Sequence, residues 1–440
     1  TDTMMKNSMK EIRTDRNGSL EQKTMHTFFL YLRTVMTWDP ELGKSILFAS
    51  DDDLIKGDFG DFQNRLVGAS ILQATGEDWK QQKHVLSPAF KWNHIQALFP
   101  QFVDIVGQLS CKWRELSGPV DVYSWLHRAT LDAIGRGGFG FDFHALENDQ
   151  TQELKQYEAF MKEGQNPVHS IDFLDKILGT RKVLNQRFDE FETFIDKLIS
   201  VKRERIQAEQ EEGNWQPSDI LDYLLAAHGD NTMTDKQLAH NMNTFFVAGH
   251  ETTAGALTST IHLLARNQAA QDRAREEVFS VCGNEEINGE DIRKLEYIEC
   301  CIKEAMRLFP PAPFVLRQVA RDCEIGRLSL TKGTLIGVHL YAIHRDKDLW
   351  GSDVEAYRPE RFHSANKSEI PRATFLPFSF GPRQCIGNNF AMLEMKMFLA
   401  GLLQHWMFDV DPNSPVPFGE NLGTVLSIRP GCTLLISPVE

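Results

Sequence analysis

The chain reads as mainly α with small β-sheets, an α+β protein with most of its mass in helices. Three observations predict this. From Trp79 to about Gly229 apolar residues recur at helical spacing, including Ile95 to Trp113 and Phe188 to Arg205. A longer periodic run starts at Thr234 and ends near Asn267, roughly 50 Å of helix at ~1.5 Å per residue. Strand-like segments are short and gather near the start, between Phe314 and Val338, and in the tail.

The 440 residues are 42% hydrophobic and 25% charged, ordinary globular proportions that exclude collagen-like, low-complexity and wholly disordered classes. With 47 Lys and Arg against 61 Asp and Glu, the formal charge is −14, so no nucleic-acid partner is expected. A local basic patch including Lys80, Lys83 and Lys91 can still dock an acidic partner. Seven cysteines (Cys111, Cys282, Cys300, Cys301, Cys323, Cys385 and Cys432) without a CxxC form neither a disulfide framework nor a zinc ribbon, which fits a reduced setting. No stretch approaches the roughly 20 apolar residues that span a bilayer. The chain starts at Thr1 rather than Met, and removal of a leader or anchor ahead of it is an open expectation.

Element by element, residues 1 to about 24 are polar and read as a frayed start. His26 to Met36 mixes aromatic and β-branched residues and reads as strand, and Pro40 to Phe48 as a short helix. Asp51 to Asp53 and Glu209 to Asn214 read as solvated loops, with Ser218 capping the next helix. Thr234 and Gln237 form a capping-box pattern at the head of the longest helix. A further helix carries Ile292 to Leu308 and stops at Pro310-Pro311; Phe314 to Val338 is short strands, and 346–380 irregular coil. A last helix runs from about Asn388 to Trp406. No linker divides the chain, so 1–440 reads as a single domain. Gly135, Gly137 and Gly140 satisfy GxGxxG, but the preceding residues look helical, not like the strand a dinucleotide fingerprint needs.

The strongest site signal is Phe378-Ser379-Phe380-Gly381-Pro382-Arg383-Gln384-Cys385-Ile386-Gly387. Gly381-Pro382 favours a turn and Gly387 permits close backbone approach. Cys385 sits just before a helix, where free amides and the dipole favour a thiolate, and Arg383 adds positive charge. Such a thiolate suits a soft or borderline metal, including haem iron. Within the long helix, Ala248-Gly249-His250-Glu251-Thr252-Thr253 places a glycine, an acid and a hydroxyl side by side. A Thr252 hydroxyl bonded back to the Ala248 carbonyl would bend the turn, and Glu251 beside it makes a plausible proton relay. His250 reads as exposed or packed rather than as a metal ligand.

These two segments resemble the haem-binding signature FxxGxRxCxG and the oxygen-activation motif (A/G)Gx(D/E)T of the cytochrome P450 superfamily. Glu304-Ala305-Met306-Arg307 matches its ExxR, and Pro359-Glu360-Arg361-Phe362 its PERF. The resemblance covers nearly the whole chain from about residue 30 and implies a long central helix over haem b, with the cysteine loop on the proximal side. It implies Cys385 as the axial iron ligand, with Phe378, Gly381 and Gly387 shaping its loop. Thr252 would steady dioxygen and Glu251 help deliver protons, with Ala248 and Gly249 beside the haem. Glu304, Arg307 and Arg361 would form a buried structural network. Trp79, Lys83, Arg317 and Arg383 would meet the haem propionates; many members carry Arg or His where this chain has Lys83, which leaves His84 as an alternative.

The pocket implied is apolar: Leu66, Val67, Ala69 and Ser70, with Phe245, Ala248, Phe314, Val315 and Leu316. It favours a hydrophobic small-molecule substrate. The reaction implied is insertion of one oxygen atom of O2, with NAD(P)H-derived electrons arriving through a separate partner, because no flavin module fits in this length. The partner expected is an NADPH-dependent flavoprotein reductase, with a ferredoxin as rival. The setting expected is cytosol-facing and associated with the endoplasmic reticulum membrane, with a soluble cytoplasmic protein as the alternative. Other readings are a peroxide-using or rearranging enzyme of the same family, and a non-catalytic haem sensor.

Overall fold

The computed structural model describes residues 23–29, 32–57, 61–148, 152–164, 179–213, 215–412, 420–422, 426–428 and 432–439. The expectation of a frayed start lies outside the described residues as far as Gln22; Lys23 is ion-paired to Asp346 at 2.6 Å. In chain order, β1 (Thr24–Phe29), β2 (Leu32–Thr37), α1 (Pro40–Phe48), β3 (Leu54–Ile55), α2 (Asp61–Val67), α3 (Gly76–Leu86), α4 (Trp92–Gln96), α5 (Phe99–Arg114), β4 (Val120–Asp121) and α6 (Val122–Ile134) form the first part. They are followed by α7 (Gln152–Gly164), α8 (Thr180–Glu211), α9 (Ile220–Gly229), α10 (Asp235–Ala265), α11 (Gln268–Cys282), α12 (Asp291–Lys294) and α13 (Glu296–Leu308). Next come β5 (Val315–Val319), β6 (Cys323–Ile325), β7 (Leu328–Leu330), β8 (Leu335–Val338), α14 (Leu340–Ile343), α15 (Lys347–Trp350), α16 (Asn388–His405), β9 (Trp406–Val410), β10 (Glu420–Leu422), β11 (Leu426–Ile428) and β12 (Thr433–Pro438). Helix dominates and the sheets are small, as the periodicity predicts.

The chain forms two compact units. The first takes residues up to Gly57, Phe102–His127 and Glu251 onward. It holds a five-stranded sheet in the order β1-β2-β8-β5-β3, in which only the β2–β8 pair is parallel, and a three-stranded sheet β4-β12-β9. One side of the larger sheet is closed by α1, through Leu42 and Ile46 against Val35, Ile336 and Val338. Leu376, just ahead of the cysteine loop, packs into the same cluster. The second unit, Asp58–Gln101 and Arg128–His250, is built on aromatic rings. Phe188 and Phe191 on α8 meet Phe160 and Tyr157 on α7, and Phe246 on α10 packs edge-on against Tyr157 and Phe191. Buried positions of α8 recur three or four apart, from Leu184 through Phe188, Phe191 and Ile195 to Ile206, which is why so polar a sequence forms one continuous helix. Among the described residues no helix is long and apolar enough to cross a membrane.

Several boundaries differ from the sequence expectation, each for a local reason. Ile95 to Trp113 is two helices, because three-residue hydrogen bonds close the chain at Ala97 and Leu98 and α5 starts afresh with Pro100 in its first turn. Ile292 to Leu308 breaks at Leu295, whose ψ of 80° is not helical. The acidic run from Glu209 stays helical to Glu211, supported by the Arg205–Glu209 pair one turn apart. Asp219, not Ser218, caps α9 in a capping box with Asp222, to which the Ser218 hydroxyl also donates. Trp406 opens β9 instead of closing α16. Asp51 and Asp53 are not merely solvated: they pair with Arg383 and Arg321 at 3.0 and 2.9 Å. Thr234 and Gln237 do exchange capping bonds, Gln237 N–H to Thr234 Oγ1 at 3.2 Å and Thr234 N–H to Gln237 Oε1 at 2.8 Å.

Candidate active site

The cysteine loop is fixed by its own backbone. The Ser379 amide donates to Leu376 O, Gln384 to Gly381 O, and Cys385 to Phe378 O, all within 3.1 Å. Gly381 has φ +81°, and a Cβ there would meet Leu47 O at 3.0 Å and the Phe48 ring at 3.2 Å, so both conformation and space demand glycine. Phe48 also packs edge-on against Phe380. The Leu376 amide donates to His344 Nε2 at 2.8 Å; burial first, then the Arg307 charge, push the His344 pKa down to about 3, so the ring stays a neutral acceptor.

Cys385 precedes Gly387, which caps α16. Burial pushes its thiol up and a hydrogen bond with the Gly387 backbone pulls it down. Of the thiolate-favouring setting expected there, the Gly387 backbone bond is present, and desolvation outweighs it. The side chain is nevertheless exposed, so the sulfur is reachable. Cys432, the other cysteine late in the chain, is buried 3.7 Å from His262 Nδ1 and belongs to no such loop.

Three cations gather beside this loop. Arg383 pairs with Asp51, and Arg317 on β5 is buried with its guanidinium donating to Leu316 O. Burial and then the Arg383 charge push the Arg317 pKa down to about 10. Burial, Arg317 and Arg383 hold the Lys56 ammonium well below its usual range. Among the described residues Asp51 is a carboxylate that acts on all three, so the cations outnumber it. A ligand with two carboxylates neutralises that surplus. Sequence reasoning missed Lys56: a lone lysine after a two-residue strand carries no periodic or motif signal.

The ExxR and PERF residues meet in the first unit. Glu304 takes two bonds from Arg307 at 2.8 Å, one from Arg361 at 3.3 Å and one from the Arg358 amide at 3.0 Å, with all three side chains buried. The remaining guanidinium donors reach the carbonyls of His344, Ala356, Trp350 and Asp353. Each guanidinium nitrogen of the network thus has a partner, as a charge that is costly to bury requires.

On α10, an added Cβ at Gly249 would sit 2.7 Å from Ile134 of α6, so this glycine permits close helix packing. His250 is packed, as expected: it is fully buried, with Nδ1 2.7 Å from Phe246 O and its ring against Tyr157. Glu251 and Thr252 are half-buried, and Glu251 lies 3.2 Å from His127 Nε2 and is hydrogen-bonded to Tyr123, both on α6. Neither partner carried a sequence signal, since both lie in an ordinary amphipathic stretch. Ala248 is exposed, whereas Phe245 is buried against Phe90. Phe314, Val315 and Leu316 are half-buried at the head of β5. In the second unit the Lys83 ammonium lies 4.8 Å from the Trp79 ring centre, while His84 is exposed. Leu66, Val67 and Ser70 are buried, in a segment tied to α10 by Asn243 to Leu66 O and by the Ala69 amide to His240.

The family model for cytochrome P450 matches residues 5–435. The chain is 30% identical to an 11-oxo-beta-amyrin 30-oxidase of Medicago truncatula, over 90% of this chain and 76% of that protein. It is 31% identical to Cytochrome P450 CYP72A613 of Trigonella foenum-graecum (79% and 70%) and 28% to Cytochrome P450 4F12 of Homo sapiens (85% and 74%). A helix-rich fold with small sheets and matches to these oxidases define a haem-dependent monooxygenase, an oxidoreductase that incorporates molecular oxygen. The chain belongs to the cytochrome P450 family. Its cofactor is haem b, with O2 and electrons supplied through a redox partner.

Proposed function

We propose that the chain inserts one atom of O2 into a hydrophobic small molecule, taking electrons from NADPH through a separate flavoprotein reductase, with Cys385 as axial ligand of the haem iron. The observation that carries the reading is a reachable thiol on a loop whose backbone bonds and glycine leave it one geometry, immediately ahead of α16. Bound haem supplies an oxygen-activating iron, and a thiolate ligand favours O–O cleavage. The Gly387 backbone, bonded to the sulfur, moderates its electron donation. Lys56, Arg317 and Arg383 take the two propionates, which relieves their mutual repulsion. Thr252 holds a proton at Oγ1 and Glu251 replaces it from its carboxyl. The half-buried apolar residues Phe314, Val315 and Leu316 accept an apolar substrate. The naming of two relatives as oxidases of 11-oxo-beta-amyrin supports an organic substrate of low polarity. The family match across 5–435 supports treating 1–440 as one haem domain. A cytosol-facing place at the endoplasmic reticulum membrane, beside the reductase, completes the reading.

The reduced, haem-loaded protein is expected to give the red-shifted carbon monoxide Soret band of a thiolate-ligated haem. Cys385→Ala should lose that band while Cys432→Ala keeps it; a Cys385→Ala protein with an unchanged band overturns the assignment.

A further inference from the structure

Glu251 sits at a place where a carboxylate needs help. Its side chain is only 16% exposed, and a glutamate there has several rotamers to lose on being ordered. Two groups on one face of α6 do that ordering. Tyr123 and His127 are four residues apart, so they stand one above the other on the helix surface, with ring centres 5.9 Å apart. His127 Nε2 lies 3.2 Å from Glu251 Oε1. Beside a carboxylate the Nε2–H form is the one that donates. The Tyr123 hydroxyl donates to the same carboxyl, and its pKa is pushed up by burial first, then by the charges of Glu251 and Asp121. The acid next to Thr252 is thus held by two donors from a separate helix and is not left to solvent.

We propose that His127, with Tyr123, is a positioning residue for oxygen chemistry: the pair fixes the Glu251 carboxyl so that it returns to one orientation after each proton it gives up. No bond is made or broken at His127; the O–H bond of Glu251 breaks, the carboxylate is recaptured by the two donors, and solvent replaces the proton. The proposal rests on the monooxygenase reading above. A structural ion pair would have no reason to favour one route of oxygen supply over another, whereas a positioned acid matters only where protons must be delivered.

The test uses the full, haem-loaded chain reconstituted with an NADPH-dependent reductase, and compares wild type with His127→Phe, His127→Gln and Tyr123→Phe. Two routes are measured: NADPH-driven oxygen reduction, with hydrogen peroxide formed per NADPH, and cumene hydroperoxide-driven oxidation of a phenylenediamine dye, which needs no delivered protons. His127→Phe should slow the NADPH route by about tenfold, within the range general acid catalysis contributes, and raise peroxide release per NADPH. The hydroperoxide route should lose much less, and His127→Gln, which keeps a donor, should recover most of the NADPH route. Tyr123→Phe should move in the same direction by less. Independently of turnover, the nitrogen resonances of His127 should shift between wild type and Glu251→Gln. Parallel loss of both routes, no loss of either, or an unmoved His127 resonance overturns the proposal. A wild-type protein lacking the red-shifted carbon monoxide band overturns the underlying reading, and the proposal with it; a normal band with parallel losses overturns only the positioning role.

Discussion

Single residues around the cysteine loop carry demands that a core residue does not. Gly381 must adopt φ +81° with a carbonyl at 3.0 Å from any added Cβ, so Gly381→Ala combines backbone strain of about 1–3 kcal/mol with a steric clash. Its expected signature is a lower urea midpoint together with faster haem loss; a variant that unfolds and retains haem like wild type would show that the loop relaxes freely. The cation cluster makes a prediction of opposite signs. Removing one of three mutually repelling charges in Lys56→Met should stabilise the haem-free protein, while weakening haem affinity by roughly tenfold, or about 1.4 kcal/mol. Titration of haem into the apoprotein and a thermal melt of the same sample check both halves; a fall in both quantities would mean that Lys56 serves the fold rather than the cofactor.

At the scale of elements, the chain spends a buried charge network on connecting α13 to the coil that leads to the cysteine. Glu304 accepts from both arginines and from the Arg358 amide, so Glu304→Gln leaves two buried guanidinium charges without their carboxylate and should destabilise by about 3–5 kcal/mol. The exposed Arg358–Asp353 pair nearby is the control: Arg358→Ala should change stability by about 0–1 kcal/mol. Equal effects in denaturant titrations would contradict the difference in burial. Much of this was legible in the sequence, because a motif fixes spacing along a helix and a capping box marks where one starts, as at Thr234. The breaks at Leu295 and between Gln96 and Phe99 were not, since the apolar pattern runs through both while the backbone turns. Lys56, Tyr123 and His127 were also silent, because their importance comes from partners far away in sequence, which one-dimensional spacing does not encode.

For the whole molecule, burial of titratable groups sets a pH profile with two opposing arms. His262 and His339 are pushed down to about 4 by burial, and His344 to about 3. Their folded values lie below the unfolded value of about 6.5, so the stability they contribute is complete above about pH 6.5 and is lost as pH falls toward 4 and 3. Asp132 and Asp219 are pushed up to about 6 by burial, and the buried Glu394 is raised in the same direction. These carboxyls stabilise most below their unfolded values near about 3.9–4.3 and lose that contribution as pH rises through about 6. Between pH 4 and 6 the two groups work against each other, so the profile is flatter there than either set alone dictates. Below about pH 4 the histidine arm and the carboxyls held low by cationic partners, among them Asp39, Glu299 and Asp353, change in the same direction, and stability falls. Asp132→Asn isolates one arm, because its side chain cannot titrate; its single oxygen keeps only one of the bonds that the Ala145 and Leu146 amides give to the two carboxylate oxygens, a loss that does not itself vary with pH. Lowering the pH from 6 to 4 should therefore favour wild type over the variant by on the order of 2 kcal/mol, while the difference stays constant above about pH 7. Urea midpoints of the two proteins across that range check it; a gap that is constant with pH would mean that Asp132 titrates near its ordinary value, with its two backbone bonds outweighing desolvation.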